Sequence, residues 1–247
     1  MIDLLSQMRF ATKPQLFQAL SEESLGVLLG HSFLQDVPAN KLLLQQGDTA
    51  SHLYLIAEGS LRTFRVDKEG REATIRMLQA GNTCMEAVMF MGGPSPINVQ
   101  AVTPSRILFI PEKAVKAQVL ADSQFATNLL RIVAHHYKNA MHQIDAMNIK
   151  SPVQRIGYYF LTRHIEAGHD HLDFELPFQK QQISNYLGIT PETFSRALKQ
   201  MKDLGIDVDN QTIKLRDAFS LCHFCDPDTA AMCPKQGSAG CTACKNS

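Results

Sequence analysis

The 247-residue chain has no tryptophan, few aromatic residues (7%) and no surplus of either charge, with 24 Lys+Arg against 24 Asp+Glu. That balance removes the overall field by which strongly basic proteins collect polyanions. Long apolar runs are missing too: Leu42-Leu43-Leu44 and Ile107 to Ile110 fall far short of the roughly 20 residues a membrane helix needs. Met1 to Phe10 carries an acid and no continuous apolar stretch, a poor secretory signal, so a cytoplasmic location is expected. Phosphate-cradling glycine loops and nucleophile motifs are absent, and the carboxylates Glu22-Glu23 read as solvated charge. The chain is therefore not expected to be an enzyme. With 45% hydrophobic and 19% charged residues, the composition is that of an ordinary globular protein.

Cysteine is scarce until the end. Cys84 stands alone, and Cys222, Cys225, Cys233, Cys241 and Cys244 crowd the terminus. A disulfide framework would spread its cysteines through the fold, whereas a terminal cluster with CxxC pairs in a reducing compartment reads as a metal or redox site. The outer pairs form C-x2-C-x15-C-x2-C, which suits tetrahedral zinc; an iron–sulfur cluster accepts four thiolates equally well. Apart from Phe224 and Met232 this segment has little to bury, so a metal is expected to order it.

Pro14 to His31 is predicted helical, with Leu16, Leu20, Leu25 and Leu28 on one side and Ser21 as N-cap. Six short runs follow, at 41–44, 52–57, 61–66, 73–78, 98–102 and 106–110. Gly47, Gly59, Gly70 and Gly81 punctuate them at near-equal spacing, the pattern of an antiparallel sandwich or barrel. Past Pro111 the texture is helical for about forty residues. There Leu130, Val133, Tyr137, Ala140, Ile144 and Met147 alternate three- and four-residue steps, the seam of a coiled coil with a second copy. Ser151-Pro152 ends the helix and marks a domain boundary.

The most informative segment runs from Lys180 to Lys199. Ile183 and Leu187 lie four apart, Ser184 is small where two helices must cross, Gly188 supplies a tight turn and Ile189 plugs its corner. Thr190 is an N-cap with Pro191 at the first helical position. Phe194, Ala197, Leu198 and Met201 form one stripe, leaving Glu192, Ser195, Arg196 and Lys199 opposite. Arginine can donate twice to guanine and glutamate can accept from cytosine, so this face suits a major groove; Ser195 and Lys199 could serve a base edge or a phosphate. Residues 151–221 hold slightly more acids than bases, so non-specific affinity should be modest and salt-dependent. Ile206 to Leu215 reads as a β-hairpin wing.

Glycine-punctuated strands, a long helix and a winged helix-turn-helix together resemble the CRP/FNR superfamily of transcription regulators. The fold implied is α+β: a cyclic-nucleotide-binding-type β-roll over 1–111, a dimerisation helix region over 112–150, a winged helix-turn-helix over 151–221 and a Cys-rich tail over 222–247. Glu192, Ser195 and Arg196 are similar to the FNR branch, which implies an inverted repeat of TTGA-type half-sites, and Arg155-Ile156-Gly157 resembles the start of the family's DNA-binding domain. RNA polymerase and a second copy of the chain are the implied partners.

The resemblance places the effector pocket at Cys84, Glu86, Ala140 and Met141, with Glu86 where the family's ribose-contacting glutamate lies. Its phosphate-binding Arg-Ser pair is replaced by Pro96-Ile97 and its adenine-gripping Thr-Ser pair by Ala140-Met141. A cyclic phosphate without a basic partner is poorly held, so cyclic AMP is not expected. Cys84-Met85 resembles a haem-site pair of carbon-monoxide-sensing relatives, with His31, His135 and His136 as axial candidates by residue type; haem ranks below a metal in the tail. The preferred cofactor is an iron–sulfur cluster on Cys222, Cys225, Cys241 and Cys244, with Cys233 the substitute ligand and zinc the alternative. The expected function is a homodimeric regulator answering a redox, gas or metal signal. A haem-based gas sensor with a structural zinc tail is one alternative, and a metal-binding protein that leaves DNA alone is another.

Overall fold

The computed structural model describes residues 4, 7, 8, 10, 12–167, 171–238 and 241. It divides into two compact units, Met1–Met141 and His142–Ser247. Among the described residues no helix is long and apolar enough to cross a membrane.

The first unit is a β-roll of two four-stranded antiparallel sheets. One orders β1 (Phe33–Val37), β8 (Ser105–Pro111), β3 (His52–Glu58) and β6 (Thr83–Cys84); the other orders β2 (Leu42–Leu44), β7 (Asn98–Ala101), β4 (Ser60–Val66) and β5 (Glu72–Gln79). Six of the eight were expected. Gly47, Gly59, Gly70 and Gly81 all take positive φ (+100°, +85°, +80° and +87°), so the spacing read from the sequence marks turns that L side chains resist. The core of the roll includes Leu53, Leu55, Ile56, Leu61, Val99, Ile107, Leu108 and Ile110, all fully buried. Each strand buried on both faces exchanges the alternating pattern for a continuous apolar run.

Two helical readings require correction. The segment after Pro14 is a 3-10 turn over Gln15–Phe17 followed by α1 (Glu22–Gly30), because Ala19 turns left-handed at φ +56° and Ser21 caps the new helix by accepting from Ser24 N at 3.1 Å. A short helix, α2 (Glu86–Met91), lies within the roll. The predicted forty-residue helix is two, α3 (Glu112–Ala121) and α4 (Ser123–Ile149). Asp122 separates them: its backbone is extended, and its Oδ1 accepts from the N–H groups of Gln124 (2.8 Å) and Phe125 (3.1 Å). An aspartate that satisfies the orphan donors of a following helix is a stop and a start at once.

The second unit begins with α5 (Pro152–Glu166), opened by a capping box in which Ser151 and Gln154 exchange hydrogen bonds. Next come β9 (Asp173–Glu175), α6 (Lys180–Tyr186), α7 (Pro191–Asp203), β10 (Ile206–Asp209) and β11 (Thr212–Leu215), the strands pairing antiparallel in the order β10-β11-β9. The wing is thus three-stranded. Its core is Ile156, Phe160, Phe178, Ile183, Phe194, Met201, Ile206 and Ile213. The tail adds a 3-10 turn over Cys222–Phe224 and α8 (Pro227–Met232).

Candidate nucleic-acid interface and effector pocket

Helix α7 separates its two faces as the sequence suggested. Phe194, Ala197 and Met201 are buried and Leu198 is half-buried, while Glu192, Ser195, Arg196 and Lys199 are exposed. Thr190 caps the helix, its hydroxyl accepting from Thr193 N at 3.2 Å. The Glu192 carboxyl is held below its usual range by the helix's own first-turn N–H, the Thr190 hydroxyl and the nearby Arg196 guanidinium. Gly188 makes the turn at φ +64°; Leu187 rather than Ile189 is the buried residue at that corner, Ile189 being half-buried.

Arg155 fixes this turn from α5. Its guanidinium donates to Leu187 O (3.1 Å) and to Lys150 O (3.0 Å), tying the helix-turn-helix corner to the residue that follows α4. Ile156 is fully buried, and Gly157 leaves a notch that the Phe224 ring occupies; a Cβ there would overlap the ring. The Arg-Ile-Gly triplet therefore has three separate structural jobs, and the last of them belongs to the tail.

The expected seam is open along α4. Leu130, Tyr137 and Ile144 are 70%, 69% and 52% exposed, and Val133, Ala140 and Met147 are exposed as well.

Glu86 is 1% exposed at the start of α2, placed there by Met85, which takes a left-handed φ of +83° after β6. Its Oε1 meets two side chains from elements remote in sequence: Arg76 Nη1 of β5 at 3.3 Å and His136 Nε2 of α4. Arg76 Nη2 also lies 2.7 Å from His136 Nε2 and donates to Thr83 O at 3.0 Å. That one ring nitrogen donates to Glu86 when protonated and accepts from Arg76 when bare. Burial alone would push the Glu86 carboxyl up, but the His136 hydrogen bond and the Arg76 charge more than offset it and hold the group below the usual carboxylate range. Sequence reasoning found Glu86 and missed Arg76. Of the other pocket candidates, Cys84 is fully buried on β6, its thiol pushed up to about 12 chiefly by burial, whereas Ala140 and Met141 are exposed. His31 and His135 are exposed.

In the tail, Cys222 and Cys241 are buried and Cys225 and Cys233 half-buried, and Cys244 lies outside the described residues. Among the described residues no three of His, Cys, Asp and Glu stand as a ready-made ligand set. The tail does bury something of its own: besides Phe224 in the Gly157 notch, Asp226 caps α8 by accepting from Thr229 N (2.9 Å) and takes Lys150 Nζ at 3.0 Å. Phe224, already set apart as one of the few apolar residues of this segment, and Asp226 thus seat its first part.

These features match known families. Residues 34–122 fit the cyclic nucleotide-binding domain and residues 154–224 the Crp-like helix-turn-helix domain. Over 188 residues the chain is 25% identical to the transcriptional activator protein FnrA of Stutzerimonas stutzeri, covering 73% of this chain and 75% of that one. It is 26% identical over 178 residues to the cAMP-activated global transcriptional regulator CRP of Haemophilus influenzae, covering 71% and 80%. A CooA mutant from Carboxydothermus hydrogenoformans shares the fold, with a TM-score of 0.71 at 22% identity over 88% of this chain and 98% of that one. The chain belongs to the CRP/FNR family of DNA-binding transcription regulators.

Proposed function

We propose that the protein is a homodimeric regulator that reads an inverted repeat of TTGA-type half-sites and takes its signal through a thiolate-bound metal in the tail rather than through cyclic AMP. The observation that carries this is the seating of the tail on the DNA-binding unit, through Phe224 at Gly157 and Asp226 at Lys150. A change of ligation at Cys222 or Cys225 would act one or two residues from that contact. Glu192, Ser195 and Arg196 would read bases from one exposed face, with Lys199 and Thr190 toward the backbone.

Three things weigh against cyclic AMP. Pro96-Ile97 offers no cation to a phosphate, Ala140-Met141 offers no hydroxyl, and Glu86 is already engaged by Arg76 and His136. A buried Cys84 whose thiol resists ionisation is a poor haem ligand. Cys222, Cys225, Cys241 and Cys244 would hold an iron–sulfur cluster, Cys233 substituting; a cluster supplies lability toward oxidants, which zinc would not. The exposed apolar strip from Leu130 to Met147 would pair with a second copy, and RNA polymerase would be the partner on DNA.

The test is anaerobic purification followed by metal analysis, an absorption spectrum and a mobility shift on a TTGA/TCAA inverted repeat. Brown protein that bleaches in air with a change in sequence-selective binding supports the reading. A colourless protein with one zinc per chain makes the tail a structural staple, and absence of selective binding in either state removes the DNA reading.

A further inference from the structure

We propose that a cavity in the first unit binds a small organic anion, a carboxylate with an apolar body. It is a cavity of about 500 Å3 between the segment around Lys13, the Ala80–Thr83 turn and α4, a size that suits a small-molecule ligand. None of Cys84, Glu86, Pro96, Ile97, Ala140 and Met141 lines it; it adjoins the pocket at which the family resemblance points through His136, whose ring reaches Glu86.

Among the described residues Lys13, His135 and His136 face it and no Asp or Glu does, and Gln18 and Asn82 add neutral hydrogen-bonding groups. Lys13 has no ion pair among the described residues. Partial burial, then the positive neighbours His136, Lys138 and Arg76, lower the proton affinity of His135. The one carboxylate beside His136 is Glu86, which Arg76 also holds. A lysine and two imidazoles on a concave wall without a carboxylate among the described residues favour an anion, and a bound anion favours the protonated form of an imidazole beside it. Phe10, Pro14 and Ile132 supply the apolar wall, so a bare inorganic anion would leave half the site unused. Lys13 and His135 are exposed at the rim and His136 lies deeper, which orients the carboxylate outward and toward the helix.

Thermal unfolding of the full chain near neutral pH tests this with benzoate, its uncharged isostere benzamide, and inorganic phosphate at matched ionic strength. Benzoate at tenfold saturation should raise Tm by about 3 °C, benzamide and phosphate should raise it by clearly less, and the benzoate shift should vanish in a Lys13→Gln/His135→Gln double variant. Both substitutions are at exposed positions, so the variant should keep its unliganded Tm. No benzoate shift, an equal shift with benzamide or phosphate, or a full benzoate shift in the double variant would each overturn the proposal.

Discussion

The interior of the β-roll and the C-terminal tail are built on opposite plans. In the roll, Glu86 is sealed from solvent and its charge is answered by Arg76 and His136 of the same unit. In the tail, Cys225 and Cys233 are half-buried, and the anchoring contacts include the Phe224 ring at Gly157 and the Lys150–Asp226 ion pair. Glu86 Oε2 is buried without a hydrogen-bond partner among the described residues, but a ligand that reached Oε1 would have to displace contacts already made. The half-buried Cys225 stands instead directly between Phe224 and Asp226, the two residues that seat the tail. The proposed entry of the signal through the tail rests on that placement.

The largest expected effect concerns the open strip on α4. Ile144→Glu or Ala140→Glu would set like charges against each other in a self-paired seam, giving monomers by light scattering and loss of selective DNA binding. A dimer that survives both changes would place the pairing surface elsewhere.

Next in size is the roll. Arg76→Ala leaves the buried Glu86 carboxylate with His136 alone, and urea unfolding should record a loss of about 3 kcal/mol. Glu86 also sets an acid limb. Its carboxyl titrates below the ordinary 4.5 when folded, so the stability it contributes is complete above that value and is lost as pH falls through the folded pKa. Glu86→Gln should flatten that limb; an unchanged acid limb would show that the pairing contributes nothing.

A smaller effect separates two residues of one helix face. Arg196→Ala should cost about 1–3 kcal/mol on the specific site and relax selectivity at one base pair, if its contact is bidentate. Lys199→Ala should weaken all sequences alike and lower the salt slope by about 1. Equal losses on specific and random DNA for Arg196→Ala would remove its base-reading role. The smallest effect is at the Lys150–Asp226 pair, both side chains about three-quarters covered. Lys150→Met should cost about 0.5–1 kcal/mol in stability, yet shift the DNA response to oxidation if the tail acts through this contact.

Local order was legible in the sequence because it depends on short-range rules. Glycine spacing gave the turns of the roll, and Thr190-Pro191 gave the start of α7. Contacts between distant segments were not legible. β1 escaped notice because Phe33–Val37 is mostly exposed and carries no clean alternation, and β6 because it has two residues. The break at Asp122 was hidden inside an otherwise continuous helical pattern. Arg76 and His136 join Glu86 across ten and fifty residues of chain, and no periodicity announces such a meeting. Gly157 was noticed as part of a triplet, but its purpose appears only when Phe224 fills the space its side chain would take.

The central claim, that the signal acts through the tail thiols, is tested most directly by DNA affinity before and after air exposure. The comparison is between the native chain and a Cys222→Ser/Cys225→Ser variant, both prepared anaerobically and assayed on the TTGA/TCAA repeat. Air should change the affinity of the native chain by at least about tenfold, or about 1.4 kcal/mol, and leave the variant unchanged. An equal response in both proteins would contradict it and return signal entry to the roll.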